Sequence, residues 1–257
     1  MLSLLLTEWR KLKHTRMLWL VLIGALPSNL ISLMELLPKT APDGTPVGFD
    51  LQSLFYRQGM MLVMMAPSIF TLMTGYIVAR EYQERTINQL FSYPVPRWQI
   101  VAAKLLVVLP LIFLTVLISC VFVFLFGSVH LFRHPGQAEA VWLGIRMNLF
   151  IGLLSFGTVP VAAALSFVGK SIIPAAVVGG MATIVTVIGE IGHGRGGILF
   201  PWLTPYWPVR HLAEGIANNV GPNPYGPAAL GILLSVFVVS SAFCIVYTTK
   251  ADVHSGS

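Results

Sequence analysis

Apolar runs of roughly 20 residues, each long enough to cross a lipid bilayer as a helix, recur along the chain and are parted by brief polar turns. They place spans at about 17–37, 58–79, 101–129, 146–168, 171–191 and 227–249. Short turns between long runs favour helices over a barrel, because each helix satisfies its own backbone in lipid. Ahead of the first run, Leu2, Leu5, Leu6, Trp9 and Leu12 share one helical face, while Arg10, Lys11, Lys13 and Arg16 crowd toward the membrane. Residues 1–16 therefore read as a helix lying in the interface. A signal peptide is the rival reading, but 17–37 is longer than an h-region and lacks a small-x-small cleavage site. The expected architecture is all-α, a single polytopic membrane domain over 1–257.

The span at 101–129 would be about 43 Å long, well beyond a bilayer core of about 30 Å, and Pro110 offers a bend. A tight turn is expected at Gly169–Lys170. Between Thr204 and Asn218 a short helix is expected, with Pro208 in its first turn. In the fifth span Ser171, Ala175, Gly179 and Thr183 repeat every four residues, a ribbon that lets another helix approach closely. The methionines at 60, 61, 64, 65 and 73 suit either core filling, the simpler reading, or a substrate-lining surface.

Composition narrows the class. The chain is 56% hydrophobic and 10% charged with a mean hydropathy of +0.79, whereas soluble domains carry about 25% charged residues. Cys120 and Cys244 both fall inside spans and read as packed hydrophobes. With both termini inside, ten of the 16 basic residues face the cytoplasm: Arg10, Lys11, Lys13, Arg16, Arg80, Arg85, Arg97, Lys104, Lys170 and Lys250. A net charge of +6 placed beside spans points to anionic headgroups rather than to nucleic acid.

The longest polar interruption in the first half runs from Arg80 to Arg97. Arg80–Glu84 and Glu81–Arg85 each stand four apart and are expected to pair across one helical turn. Ile87, Leu90 and Phe91 then form an apolar stripe, and Pro94 and Pro96 end it before Arg97 and a new apolar run. The reading is a short amphipathic helix outside the membrane. This segment resembles the first cytoplasmic loop of type-2 permeases of ATP-binding-cassette (ABC) exporters. There an acidic turn, a threonine, an apolar stripe and a Pro-x-x-Arg break lead into the third span; the matching residues are Glu81, Glu84, Thr86, Leu90, Pro94 and Arg97, with Lys104 one turn into the next helix. Many members carry Gly where this chain has Arg85, which leads one to expect a better-formed helix here.

The resemblance implies that the loop is a coupling helix docking on a separate ATPase through Glu81, Glu84, Thr86, Ile87, Leu90, Phe91, Pro94 and Arg97. It implies no cofactor in this chain, ATP and Mg in the ATPase subunit, a second permease copy or a similar permease, and re-entrant structure before the last span. Compact permeases of this length resemble those of peptide-antibiotic self-protection in bacteria, lantibiotic immunity included, and of hydrophobic drug export. The expected function is outward movement of a hydrophobic or amphipathic substrate (peptide antibiotic, drug or lipid-like molecule) from the cell membrane; the alternative is a non-transport membrane scaffold or an intramembrane enzyme.

Other motifs carry less. The run ALSFVGKS at 164–171 fits a loose phosphate-loop pattern, but span interior stands where a strand is required, and Lys170 reads as an inside-positive turn. His130 and His134 are four apart with no third ligand at metal spacing and read as a solvated loop pair. No G-x-S-x-G or H-E-x-x-H occurs. Ion-driven carriers keep ionisable residues at the membrane midplane; here the nearest is Glu190, at the outer end of the fifth span. A pathway powered by a separate ATPase needs no such relay.

Overall fold

The computed structural model describes residues 1–13, 15, 17–35, 50–86, 95–133, 138–191, 194–213 and 223–250. Among them all regular structure is helical: α1 (Leu2–Lys13), α2 (Met17–Glu35), α3 (Leu51–Gln83), α4 (Arg97–Ser119), α5 (Val121–Arg133), α6 (Ala138–Phe156), α7 (Val159–Gly169), α8 (Ile173–Ile191), α9 (Trp207–Ala213) and α10 (Gly226–Lys250), with 3-10 turns at Arg195–Leu199 and Thr204–Tyr206. Six helical stretches are long and apolar enough to cross a membrane: Met17–Met34, Leu51–Gln83, Arg97–Ser119, Glu139–Gly169, Ile173–Glu190 and Gly226–Lys250. The chain is an all-α polytopic membrane protein.

The bundle is built around α3. Its 33 residues make a rod about 50 Å long, which overshoots the bilayer core. Asp50 starts it as a side-chain cap, accepting from the backbone N–H groups of Gln52 and Ser53 at 3.3 and 2.9 Å. Leu54, Phe55, Leu62, Val63, Phe70, Met73 and Ile77 carry its side of the core against α2, α4, α6, α7 and α8. Of the expected methionine set, Met73 is fully buried and joins the core, as does Met147 of α6.

α8 lies antiparallel against α3 with almost no side-chain spacer. A Cβ on Gly75 would sit 2.8 Å from Ala175 Cβ. One on Gly179 would sit 3.0 Å from Thr71 Cβ and closer still to its hydroxyl. Pro67 removes one N–H from α3. At the next residue Ser68 N–H donates to Thr183 Oγ1 at 3.1 Å, and the two hydroxyls lie 2.5 Å apart. Ala175, Gly179 and Thr183 of the small-residue ribbon thus meet α3, whereas Ser171 precedes α8 and its hydroxyl accepts from Ile173 N–H at 3.3 Å.

Two spans are interrupted where neighbours intrude. The third passes through Pro110 as continuous helix and breaks at Cys120. Asn29 of α2 bridges that break, donating to Ile118 O at 2.9 Å and accepting from Phe122 N–H at 3.4 Å. The fourth begins at Ala138, earlier than expected, and breaks between α6 and α7 at Gly157, where a Cβ would sit 2.6 Å from Leu233 of α10. Lys170, in a left-handed conformation at φ 47, ends α7 in the expected tight turn. Because α7 is the element before Gly-Lys-Ser, no phosphate-loop geometry exists there. Inside the bundle Gln58 donates to Ser119 Oγ and exchanges hydrogen bonds with Asn148, a buried polar group without charge.

Candidate functional site

The amino-terminal end of the bundle gathers α1, the last turn of α3, the start of α4 and the end of α10. Lys11 Nζ lies 2.7 Å from Glu8 Oε1 and 2.8 Å from Glu81 Oε1. Lys104 Nζ lies 2.8 Å from Glu81 Oε1 and 3.2 Å from Glu8 Oε2. Two ammoniums and two carboxylates therefore alternate in a closed, neutral ring drawn from three helices. It is deeply placed: the Lys104 and Glu81 side chains are 2% and 5% exposed, and only Lys11 reaches solvent appreciably. The Glu81 Oε2 atom makes no hydrogen bond among the described residues.

Opposing effects set the protonation of the two α1 members. Burial raises the Glu8 pKa, but the charge of Lys104 and the hydrogen bond and charge of Lys11 outweigh it, so the carboxyl sits below its ordinary value. Burial likewise lowers that of Lys11, but hydrogen bonds to Glu8 and Glu81 prevail and raise it. Glu8 therefore contributes stability that is present above its unfolded value and is lost as pH falls through the lowered folded one. Lys11 contributes below its unfolded value and loses that contribution as pH rises through the raised one.

Around the ring the backbone is tied off. Arg80 Nε pairs with Glu84 Oε1 at 2.6 Å, as the four-residue spacing predicts, and its Nη1 donates to Lys11 O at 3.0 Å, capping the end of α1. The expected Glu81–Arg85 pair does not form. Glu81 turns inward to the two lysines, and Arg85 stands beyond the helix in a left-handed conformation, φ 55. Thr86 N–H donates to Glu81 O at 3.0 Å and Arg85 N–H to Tyr82 O at 3.3 Å, the bond pair of a Schellman helix stop. Arg85 holds the position where glycine is strain-free, so it ends the helix rather than extending it.

Arg97 marks the far side of the loop. Its Nη1 donates to Thr248 O at 2.6 Å and Thr249 O at 3.2 Å, in the last turn of α10. A cavity of about 450 Å³ opens between α1 and the loop, lined by Glu8, Lys11, Arg80, Glu81, Glu84 and Thr86 among others.

Of the expected docking residues, Glu81 is buried in the ring, Glu84 is half-exposed, Thr86 closes the helix stop and Arg97 holds α10. Ile87, Leu90, Phe91 and Pro94 lie outside the described residues, so of the expected 81–91 helix only its first residues are seen, as the end of α3. His134 and the His130 side chain also lie outside. Among the described residues no cluster of His, Cys, Asp or Glu is arranged to hold a metal. Sequence reasoning missed Glu8. Its signal was present: Leu5, Glu8 and Leu12 share one helical face, so a carboxylate interrupts the apolar stripe of α1, and that face is the one turned inward while Leu6 and Trp9 are exposed.

A second charged cluster lies at the opposite end. Glu190, in the last turn of α8, meets Arg210 of α9 at 3.2 Å, and the Arg210 guanidinium stacks over the Tyr206 ring at 5.1 Å. Tyr206 is fully buried and its hydroxyl lies 3.3 Å from that of Tyr56. Burial, then hydrogen bonding with Glu190 and Tyr56, pushes the Tyr206 hydroxyl above its ordinary range. Pro208 sits in the first turn of α9, as expected.

The sequence profile described as "ABC-2 family transporter protein" matches residues 4–189. The chain is also 26% identical over 196 residues to the bacitracin transport permease protein BCRB of Bacillus licheniformis, covering 76% of this chain and 88% of that protein. The matched stretch contains the whole charge ring and both sides of the loop.

Proposed function

The chain belongs to the ABC-2 family of transporters, and from that premise we propose that it exports a hydrophobic or amphipathic substrate using ATP hydrolysed, with Mg, by a separate ATPase subunit. Its similarity to a bacitracin transport permease carries the substrate class, and makes a peptide antibiotic the first to test. The end with the charge ring faces the cytoplasm in this reading, which the basic residues at 10–16, 80–104, 170 and 250 support under the positive-inside rule. Loop 84–97 reaches the ATPase there, and two permeases, alike or similar, enclose the pathway.

The physical support is the division of labour around that loop. Glu81 and Arg97 anchor its two sides inside the permease. The residues between, with Ile87, Leu90 and Phe91 on one stripe, remain to fill a groove on the partner as an amphipathic helix does. Movement of the ATPase pair on binding ATP is then delivered to α3 and α4, the helices that carry the anchors. The buried ion pairs of the described spans stand at the two ends of the bundle, and the interior trio Gln58–Ser119–Asn148 is neutral. That distribution suits an ATP-driven carrier better than an ion-driven one.

The test is recovery of an ATPase with the tagged permease, beside the sensitivity of cells lacking it to a panel of peptide antibiotics. A defined ratio of ATPase to permease and a gain in sensitivity are expected. Leu90→Asp should insert normally but recover no ATPase, because a charge left unpaired in an apolar groove costs several kcal/mol. Normal recovery by Leu90→Asp at normal abundance would remove the loop as the docking element. A permease active with no ATPase present would return the scaffold or intramembrane-enzyme reading.

A further inference from the structure

Arg97 stands where a docking residue is expected, yet two of its hydrogen bonds run into the last span. It is the first residue of α4, behind Pro96, and no side chain caps that helix start. A guanidinium at a helix amino terminus opposes the helix dipole. The same charge is favoured at a helix carboxyl terminus, where the last carbonyls have no partner within the helix. Arg97 meets that condition in α10: it reaches Thr248 O and Thr249 O, some 150 residues along the chain. This span as a whole is the least covered of the six, with 22% of its apolar window buried, but its last turns are seated: Cys244 and Thr248 are buried, and Ile245 and Tyr247 pack on the core. Further along, α10 rests on α7, against which Gly157 and Leu233 leave no room for a Cβ.

We propose that Arg97 is a relay rather than a docking contact: it couples the first turn of α4, and so the loop before it, to the last span. This rests on the proposed function, because a relay needs an ATPase stroke to pass on. When loop 84–97 is displaced, the charge-assisted bonds carry the end of α10 with it, and the weakly covered outer face of that helix moves against lipid or against the second permease. A lysine in this place keeps the charge at the α10 terminus but offers a single ammonium instead of a planar fork, so it restores the link in part.

The experiment uses the full permease–ATPase complex, with bacitracin as the transported probe in reconstituted vesicles, and three readouts: abundance in the cell membrane, ATPase recovered, and transport per ATP hydrolysed. Arg97→Ala should insert and recover the ATPase as wild type does, while transport per ATP falls at least about tenfold, because the charge-assisted hydrogen bonds to Thr248 O and Thr249 O are both lost. Arg97→Lys should recover part of it. Arg97→Cys combined with Thr249→Cys, joined by a short flexible bis-maleimide, should regain transport on cross-linking, because a covalent tie replaces the guanidinium. Cys120 and Cys244 are buried and are spared by the reagent. Loss of ATPase recovery in Arg97→Ala and Arg97→Lys alike, with no rescue by the cross-link, would make Arg97 a docking contact and overturn the relay. Unchanged transport per ATP in Arg97→Ala would overturn it too. A wild-type permease that recovers no ATPase would overturn the proposed function, and the relay with it.

Discussion

At the amino-terminal end of the bundle four charges from three helices close a ring, with Glu8 and Lys104 separated by 96 positions in the chain. At the opposite end one carboxylate, Glu190, meets one guanidinium, Arg210, only 20 positions away, and two tyrosines finish the cluster. Both ends bury ions, and both pair each with an opposite charge. The ring, however, holds together elements that chain connectivity leaves independent: α1, the end of α3 and the start of α4. The opposite cluster merely staples a local turn back onto the bundle. The ring links α1, α3 and α4 through four ion pairs, whereas residues 190–210 are held by one ion pair and by the Tyr206–Tyr56 contact with α3.

Removing a ring member should therefore have the largest effect. Lys104→Met leaves Glu8 and Glu81 buried with one lysine between them, and breaking a buried pair in this way costs about 3–5 kcal/mol. The expected outcome is reduced membrane abundance and an unfolding midpoint in detergent lowered by several degrees. An unchanged midpoint would mean that the ring adds nothing the packing does not already supply.

Glu190→Gln at the opposite end should cost less, about 1–3 kcal/mol, because Arg210 keeps its bond to Gly194 O and its place over the Tyr206 ring. The same midpoint assay decides. If Glu190→Gln proves as damaging as Lys104→Met, the two ends do not differ as described.

Acid tests the ring by itself. The lowered Glu8 pKa means that the attachment of α1 persists below the ordinary glutamate value and fails only as pH drops through the shifted one. Hydrogen exchange of α1 amides should therefore stay slow through mildly acidic pH and rise only below it. Release of α1 already at the ordinary glutamate value would deny α1 its dependence on the ring.

The smallest expected change has the opposite sign. Arg85→Gly places the strain-free residue at the left-handed helix stop and should stabilise the permease by up to about 1 kcal/mol without altering ATPase recovery. A loss of ATPase recovery would show that the Arg85 side chain, not its backbone, is what the loop uses.

How much of this could be read beforehand follows from what each feature depends on. The Arg80–Glu84 pair was legible, because both partners lie on one helix and the spacing alone brings them together. The Glu81–Arg85 pair obeyed the same spacing and failed, because the helix ends between its partners and the inward lysines compete for the carboxylate. Pro110 was the visible candidate for a bend, but the break falls at Cys120, where Asn29 arrives from another helix to bond the freed backbone. The small-residue ribbon announced a close approach without naming what approaches; α3 was supplied by the fold.

The sequence by itself determined the class and the number of apolar spans, because hydropathy acts locally, on each segment against lipid and water. Only the tertiary structure decided that Glu8 and Lys104 are partners, that Glu81 faces inward and that Arg97 belongs to α10. Those facts depend on which helix faces lie against each other. That choice is made by packing and by the need to pair every buried charge, and no periodicity along one segment records it.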